Sequence, residues 1–394
     1  MTGDPPTSPI PSESVIEEVI ELRRHFHRHP EVSFSEHETS TKIGERLREL
    51  GLELKPCPTE TGVVAVLDTG RPGKTVMLRA DIDALPIHEE SGVNFESKVD
   101  GRMHACGHDA HMGIMVGVAR TLVDRIWDVS GRYLFVFQPA EEIVSGAKAM
   151  IARGLLDDHH PDSVIGLHVT SFTESGTVIT RPGLMWAGSD AYEVTFAGPG
   201  GHGGMMGRRG NVLSAQAFLL ERLHTIVEGL EQDGVQCHTT VGNIISDGAW
   251  NIVPRGVAIK GSLRTFNDSL REQALGRMRD LLQEIDTEFE VKSSLELVHG
   301  TVPLMNEPNV TRTVLDVARS MIGDKASILG RPLTVSDDFA EFLTRIPGCY
   351  FMLGAMPEGS PPPAHHSPGF KIDESALEIG VKVLAGAASR LASA

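Results

Sequence analysis

The sequence predicts a two-domain α/β protein: a layered α/β domain on a mostly parallel sheet, interrupted by an inserted ferredoxin-like α+β module. Three observations carry that expectation. At 394 residues the chain exceeds what one ordinary core holds. Between residues 63 and 167 short apolar runs alternate with helix-patterned segments, the order of helices packed on buried strands. Near residue 191 the order becomes β-α-β-β-α-β, and the tail then resumes the earlier style.

Taken in order, Ser14 and Glu17 read as a capping box ahead of the stripe Val15, Ile16, Val19, Ile20 and Leu22. That helix ends at His29-Pro30, since the residue before proline avoids the helical region. Ser35 and Glu38 repeat the box, Ile43 and Leu47 supply the stripe, and Gly51 is the stop. Residues 63–67, 76–78, 134–137 and 164–167 read as strands, and 113–123 and 146–153 as helices. In the insert, 192–196, 239–245, 256–263 and 291–298 read as strands, and 212–230 and 270–289 as helices. Beyond it follow a helix at 310–321, a strand at 349–353, a proline-rich loop at 354–369 and a closing helix at 374–391. The expected boundaries are 14–188 and 303–394 for the first domain, in two parts, and 189–302 for the insert.

Composition narrows the function. No run approaches the roughly 20 apolar residues of a membrane span. The start, Met1-Thr-Gly-Asp-Pro-Pro-Thr-Ser-Pro9, lacks the basic and apolar regions of a signal peptide and reads as a disordered lead-in. A net charge of −17 argues against a nucleic-acid partner. Cys57, Cys106, Cys237 and Cys349 show no framework spacing, which suits a reducing cytoplasm. Three of them read as inert thiols; Cys106 differs because of its neighbours.

Cys106 lies in Arg102-Met-His-Ala-Cys-Gly-His-Asp-Ala-His111, ten residues holding three histidines, a cysteine and an aspartate. Thiolate, imidazole and carboxylate bind divalent transition metals, and the small residues Ala105, Gly107 and Ala110 let backbone approach an ion. Cys106 and His108, two apart, suit a tight loop or strand end rather than one helix face. Sites in open α/β sheets collect at the carboxyl ends of strands, and the other candidates fall there. Asp81 and Asp83 follow 76–78, Gln138-Pro-Ala-Glu-Glu142 follows 134–137, His168 closes 164–167, and His365-His366 lies in the loop after 349–353. Cys106, His108, Glu142, His168 and His366 suffice for two ions if a thiolate or water bridges them, about 3.5–4 Å apart. Glu141 beside Glu142 offers a general base next to a ligand, the division that amide hydrolysis needs. On spacing alone His104 and His111 compete with His108, and His365 with His366.

From Ile16 to Leu391 the chain resembles the di-metal amidohydrolases of the aminoacylase and carboxypeptidase type. The nearest branch is that of hippurate hydrolases, indole-acetyl-amino-acid hydrolases and N-acetyl-diaminopimelate deacetylases. The resemblance rests on Arg24-His-Phe-His-Arg-His-Pro-Glu31, Arg79-Ala-Asp-Ile-Asp-Ala-Leu-Pro86, His104-Ala-Cys-Gly-His-Asp-Ala-His111 and Phe137-Gln-Pro-Ala-Glu-Glu142. It continues through Gly200-Gly-His202, Asn251-Ile-Val-Pro254, Leu263-Arg-Thr265, Ser336-Asp-Asp338 and His366-Ser-Pro-Gly-Phe370.

The resemblance implies two divalent ions (zinc, manganese or cobalt), with Cys106 bridging them, His108 and His168 on one, and Glu142 and His366 on the other. It makes Glu141 the proton shuttle and Asp83 the group that orients a metal-bound imidazole. Related branches carry His-x-Asp where this chain has Asp81-Ile-Asp83. The insert is implied to be a lid and dimer-forming module. From it His202 would stabilise the oxyanion, in the partner subunit of a homodimer, while Asn251 and Arg264 would hold the substrate carboxylate. The implied substrate is an N-acyl amino acid or short peptide, with no nucleic acid and no membrane involved.

One stretch departs from the family pattern: His202-Gly-Gly-Met-Met-Gly-Arg-Arg-Gly-Asn211 replaces the usual residues after Gly-Gly-His, which bears on acyl-group specificity and the dimer contact. His25, His27 and His29 read as surface or packing residues of the first helix. The sequence thus predicts an N-acyl-amino-acid amidohydrolase; a metallo-dipeptidase of the same superfamily and a non-catalytic metal- or peptide-binding protein are the alternatives.

Overall fold

The computed structural model describes residues 9–359 and 362–393, so residues 1–8 of the expected lead-in and 360–361 of the proline-rich loop lie outside the described residues. Two compact units emerge. The first comprises the chain through Gly183, Met305–Gly330 and the chain from Asp338 onward; the second comprises Leu184–Leu304 and Arg331–Asp337. The segment 331–337 joins the second unit because Ala187 donates its N–H to the Leu333 carbonyl (2.9 Å) and Leu333 donates to Met185 (2.9 Å).

The first unit is an α/β layer structure. Its strands are β1 (Glu53–Lys55), β2 (Val63–Asp68), β3 (Thr75–Asp81), β4 (Arg132–Gln138), β5 (Ser163–Glu174) and β6 (Val178–Thr180). The second unit contributes β7 (Gly188–Ala197), β8 (His238–Ser246), β9 (Gly256–Thr265) and β10 (Lys292–Thr301), before β11 (Ala326–Ile328) and β12 (Gly348–Met356) return to the first. The large sheet runs β1-β2-β4-β3-β5-β12-β6-β11. Its centre is parallel, with Leu78 opposite Phe135 and Ile165, and Phe351 opposite Leu167. Such strands are covered on both faces and read as unbroken apolar runs, as Tyr133 to Phe137 and Val76 to Leu78 do, all buried.

Around this sheet lie α1 (Glu13–Arg28), α2 (His37–Glu49), α3 (His108–Asp124), α4 (Gly146–Ala152), α7 (Pro308–Ile322) and α8 (Ala376–Ala392), with α5 (Val212–Arg222) and α6 (Asp268–Phe289) in the second unit. Helix α1 buries Val15, Val19, Leu22 and Phe26. It crosses α3 so closely that a Cβ on Gly117 would stand 2.4 Å from Val19 Cγ2. The four-stranded sheet of the second unit orders as β8-β9-β7-β10, every neighbour antiparallel. That is the ferredoxin-like arrangement, with Phe196, Leu219, Ile259, Leu275 and Phe289 in its core.

Several boundaries differ from the sequence expectation, each for a local reason. Ser12 rather than Ser14 caps α1, without a side-chain bond. The amides of Glu38 and Thr39 in α2 are taken by the Glu31 carboxylate (3.2 and 2.8 Å), not by a Ser35 box. Helix α5 ends at Arg222 and tightens into a 3₁₀ turn, Leu223–Ile226, instead of continuing to residue 230. Helix α3 begins at His108 rather than 113, because Gly107 takes a left-handed conformation (φ +90°) at its cap. Strand β5 runs through to Glu174, so His168 sits within the strand rather than closing it.

Candidate metal centre

The candidate ligands of the first unit converge where β3 and β4 end and the middle of β5 passes, beside the start of α3. Gly107 makes the turn from Cys106 into α3 possible. Its φ is +90°, and a Cβ there would lie 2.3 Å from Val169 Cγ2, so only glycine fits. Opposite, His366, itself at φ +59°, donates its N–H to the Ala105 carbonyl (2.9 Å) and so ties the 354–369 loop to the Cys106 turn.

Two groups of three donors share the thiol. Ligand atoms of Cys106, His108 and His168 all lie within 4.8 Å of one another, and so do those of Cys106, Glu142 and His366. Cys106 Sγ stands 3.4 Å from His168 Nε2, and His366 Nε2 stands 3.4 Å from Glu142 Oε2. His108 Nε2 is 3.8 Å from Glu142 Oε1 and 4.0 Å from Glu141 Oε2.

The histidine tautomers are set from behind. His108 Nδ1–H donates to the Asp83 carbonyl (2.8 Å), and His168 Nδ1–H to the Val169 carbonyl (2.6 Å), which turns each Nε2 toward the cluster as the atom available to an ion. Among the described residues the buried Nε2 of His108 makes no hydrogen bond. A buried imidazole lone pair, a thiol and a carboxylate around one point are a donor set suited to divalent cations.

Asp83 does more than orient His108. Its carboxylate accepts the amides of Glu141 (3.1 Å) and Glu142 (3.0 Å) and the Ser33 hydroxyl (2.6 Å). One buried residue therefore sets both, the imidazole through its carbonyl and the Glu141-Glu142 turn through its carboxylate. Glu36, fully buried, accepts the Ala140 amide (2.9 Å) and holds that turn at its left-handed residue, φ +54°.

Electrostatics follow from this packing. Burial would lower the basicity of His108, but the Asp81 charge and the Asp83 hydrogen bond hold it well above the ordinary range. Burial and the Glu142 charge push the Cys106 thiol well above its ordinary value. Burial holds His168 well below, as a neutral imidazole. A cation entering here would displace protons from Cys106 and His108.

The competing histidines separate. His111 has both nitrogens committed, Nδ1–H to Asp81 (2.5 Å) and Nε2 accepting the Val169 amide (2.9 Å). His104 is buried, its pKa pulled down to about 4 by burial, and belongs to none of the donor groups. His365 faces the thiol with Nδ1 at 3.8 Å while its Nε2 accepts the Ser171 amide (3.3 Å). His27 is not a mere packing residue: it is buried between Asp109 and Glu89 (2.8 and 2.9 Å).

The remaining predicted residues belong to the second unit. His202, exposed, lies in the short strand Gly201–His202 opposite Ile252, and the Asn251 carbonyl accepts the Gly203 amide (2.9 Å), so His202 and Asn251 are neighbours there. Arg264 in β9 donates from Nη1 to Ser336 Oγ. In the divergent loop Arg208 pairs with Glu288 (2.9 Å) and covers the Phe289 ring, and Arg209 pairs with Glu290 (2.9 Å). Both arginines thus tie the loop to the end of α6.

The sequence profile of the peptidase family M20/M25/M40 matches residues 77–390. The chain belongs to that family. As a member, it is a hydrolase of amide bonds. It is 34% identical over 386 residues to an N-acetyl-L-cysteine deacetylase of Bacillus subtilis (98% of this chain, 91% of the relative). It is 32% identical to the IAA-amino acid hydrolase ILR1-like 5 of Arabidopsis thaliana (94% and 86%). Its fold is similar to a Bacillus subtilis crystal structure described as a dinuclear metal-binding peptidase of the M20 family, with TM-score 0.79, 27% identity, and 96% and 98% of the two chains covered.

Proposed function

We propose that this M20 enzyme hydrolyses the amide of N-acylated amino acids, giving a carboxylic acid and a free amino acid, at a two-ion centre. The observation that carries the reading is the sharing of Cys106 by two donor groups, with Glu141 beside them. Cys106, His108 and His168 would hold one ion, and Cys106, Glu142 and His366 the other. Two divalent cations there supply Lewis acidity toward the amide carbonyl and lower the pKa of water. The thiolate and imidazoles favour zinc, while the carboxylate suits manganese or cobalt.

Glu141 takes a proton from the attacking water and returns it to the leaving nitrogen as the C–N bond breaks and the C–O bond forms. Asp83 holds Glu141 and His108 in their relative places. From the second unit, His202 steadies the developing oxyanion across a homodimer, and Asn251 and Arg264 receive the substrate carboxylate. The names of the relatives, a deacetylase of an acylated amino acid and a hydrolase of amino-acid conjugates, support this substrate class. A reducing compartment, the cytoplasm, keeps Cys106 available as a ligand.

The test pairs metal analysis with a panel of acetyl- and benzoyl-amino acids, neutral amides and dipeptides, on wild type and Glu141→Gln. The expected result is two equivalents of metal in both proteins, turnover of the acyl amino acids by wild type, and nearly none by the variant. Full turnover by Glu141→Gln, or preference for dipeptides, overturns the assignment.

A further inference from the structure

This inference rests on the reading of Cys106, His108 and His168 as one ion's ligands. One residue, Val169, touches both His168 and the Gly107 turn that joins Cys106 to His108. Its side chain fills the space a Cβ on Gly107 would need, so it packs directly under the turn from Cys106 to His108. Its carbonyl accepts His168 Nδ1–H at 2.6 Å. Its amide is the delicate part. Strand β3 pairs with β5 only as far as Gly166, opposite Arg79, so the ladder on that side has ended before Val169. Val169 is buried, and a buried N–H without an acceptor costs about 1–3 kcal/mol.

His111 supplies the acceptor. Its Nε2 takes the Val169 amide at 2.9 Å, which commits Nδ1 to carrying the proton, and that proton meets Asp81 Oδ1 at 2.5 Å. The other Asp81 oxygen is held by Arg79 at 2.7 Å, and Arg79 is anchored in turn on Gln138 (2.8 Å) and Asp338 (2.9 Å). Arg79, Asp81 and His111 are all buried, so a chain of charge-assisted bonds runs from the sheet interior to one backbone amide.

We propose that His111 is a positioning residue, braced by Asp81 and Arg79, that fixes the Val169 peptide and through it the presentation of His168, Cys106 and His108 to an ion. His111 itself binds no metal.

The first arm of the test is nitrogen-15 NMR of the imidazoles in the wild-type protein, with the His111 resonances assigned by their loss in His111→Gln. His111 is expected as the Nδ1–H tautomer; a proton on Nε2 overturns the proposal. The second arm titrates Co²⁺ into wild type, His111→Gln and His111→Phe, reading affinity and the thiolate-to-cobalt absorption. Glutamine can offer an acceptor and a donor at similar spacing, so His111→Gln is expected within about threefold of wild type. His111→Phe is expected to lose about 10–100-fold, as removal of groups behind metal ligands typically does. Wild-type cobalt affinity in His111→Phe overturns the proposal, as does a loss in His111→Gln equal to that in His111→Phe. If His111→Phe does not fold, the tautomer and the Gln variant decide. Wild type that takes up no Co²⁺ on its thiolate refutes the ion site instead, and leaves the tautomer readable.

Discussion

Raising the pH through 9 should remove a charge on which three segments of the first unit converge. His27, near the end of α1 and only 2% exposed, places Nδ1 at 2.8 Å from Asp109 and Nε2 at 2.9 Å from Glu89. Both nitrogens face carboxylates, so both must donate and the ring is an imidazolium. Arg23 shares Asp109 at 3.1 Å, and Glu374 receives Arg23 and Arg24. Burial alone would pull His27 down, but the Asp109 charge and hydrogen bond, with Glu89, lift it to about 9. Because the folded value lies above the ordinary 6.5, the charged ring stabilises the fold fully below that pH. The contribution then fades as pH climbs to about 9. At ~1.4 kcal/mol per pH unit, the interval corresponds to about 3 kcal/mol. Urea unfolding of wild type and His27→Gln, from about pH 6 to about pH 10, isolates this from other titrations. The wild type should lose its advantage over the variant across that range. Parallel pH profiles for the two proteins, or an NMR titration of His27 near 6.5, would refute the reasoning.

Other perturbations have defined outcomes. Gly107→Ala combines a left-handed alanine, about 1–2 kcal/mol, with overpacking against Val169, about 1–3 kcal/mol; denaturant melts should show a loss of about 2–5 kcal/mol together with weaker Co²⁺ binding. Arg264→Ala should raise KM for substrates with a free carboxylate and leave neutral amides little changed; equal loss on both would remove Arg264 from carboxylate recognition. Chelation should abolish turnover and lower the melting temperature, with both restored by added zinc, manganese or cobalt; unchanged turnover in exhaustively chelated protein would contradict a metal centre.

Much of the fold was legible because its signals are local. Unbroken apolar runs marked the central strands, and the change of texture near Ala191 marked the insert. Most ligand candidates were legible because they follow a strand or lie in a turn or loop; His168, expected at a strand end, lies within β5. Exact boundaries were not, since tertiary partners decide them. The start of α2 is satisfied by Glu31 from the preceding loop, and α3 starts early because Val169 requires glycine at residue 107. The supports of the site were invisible for the same reason. Nothing in the spacing of Glu36, Asp81 or His111 announces that each takes the backbone amide or imidazole of a distant segment. His27 was undervalued because a histidine on a helix face gives no sign of two carboxylates waiting 62 and 82 positions away.

The bond between the amide of His366 and the carbonyl of Ala105 has a temporal meaning. During synthesis, the thiol-bearing turn leaves the ribosome some 260 residues before its last counterpart, so no partial chain owns a complete cluster. On the proposed ligand set, a chain that stops short of His366 would lack a donor for the second ion. The proposed centre would then be completed late, by the segment that carries His366.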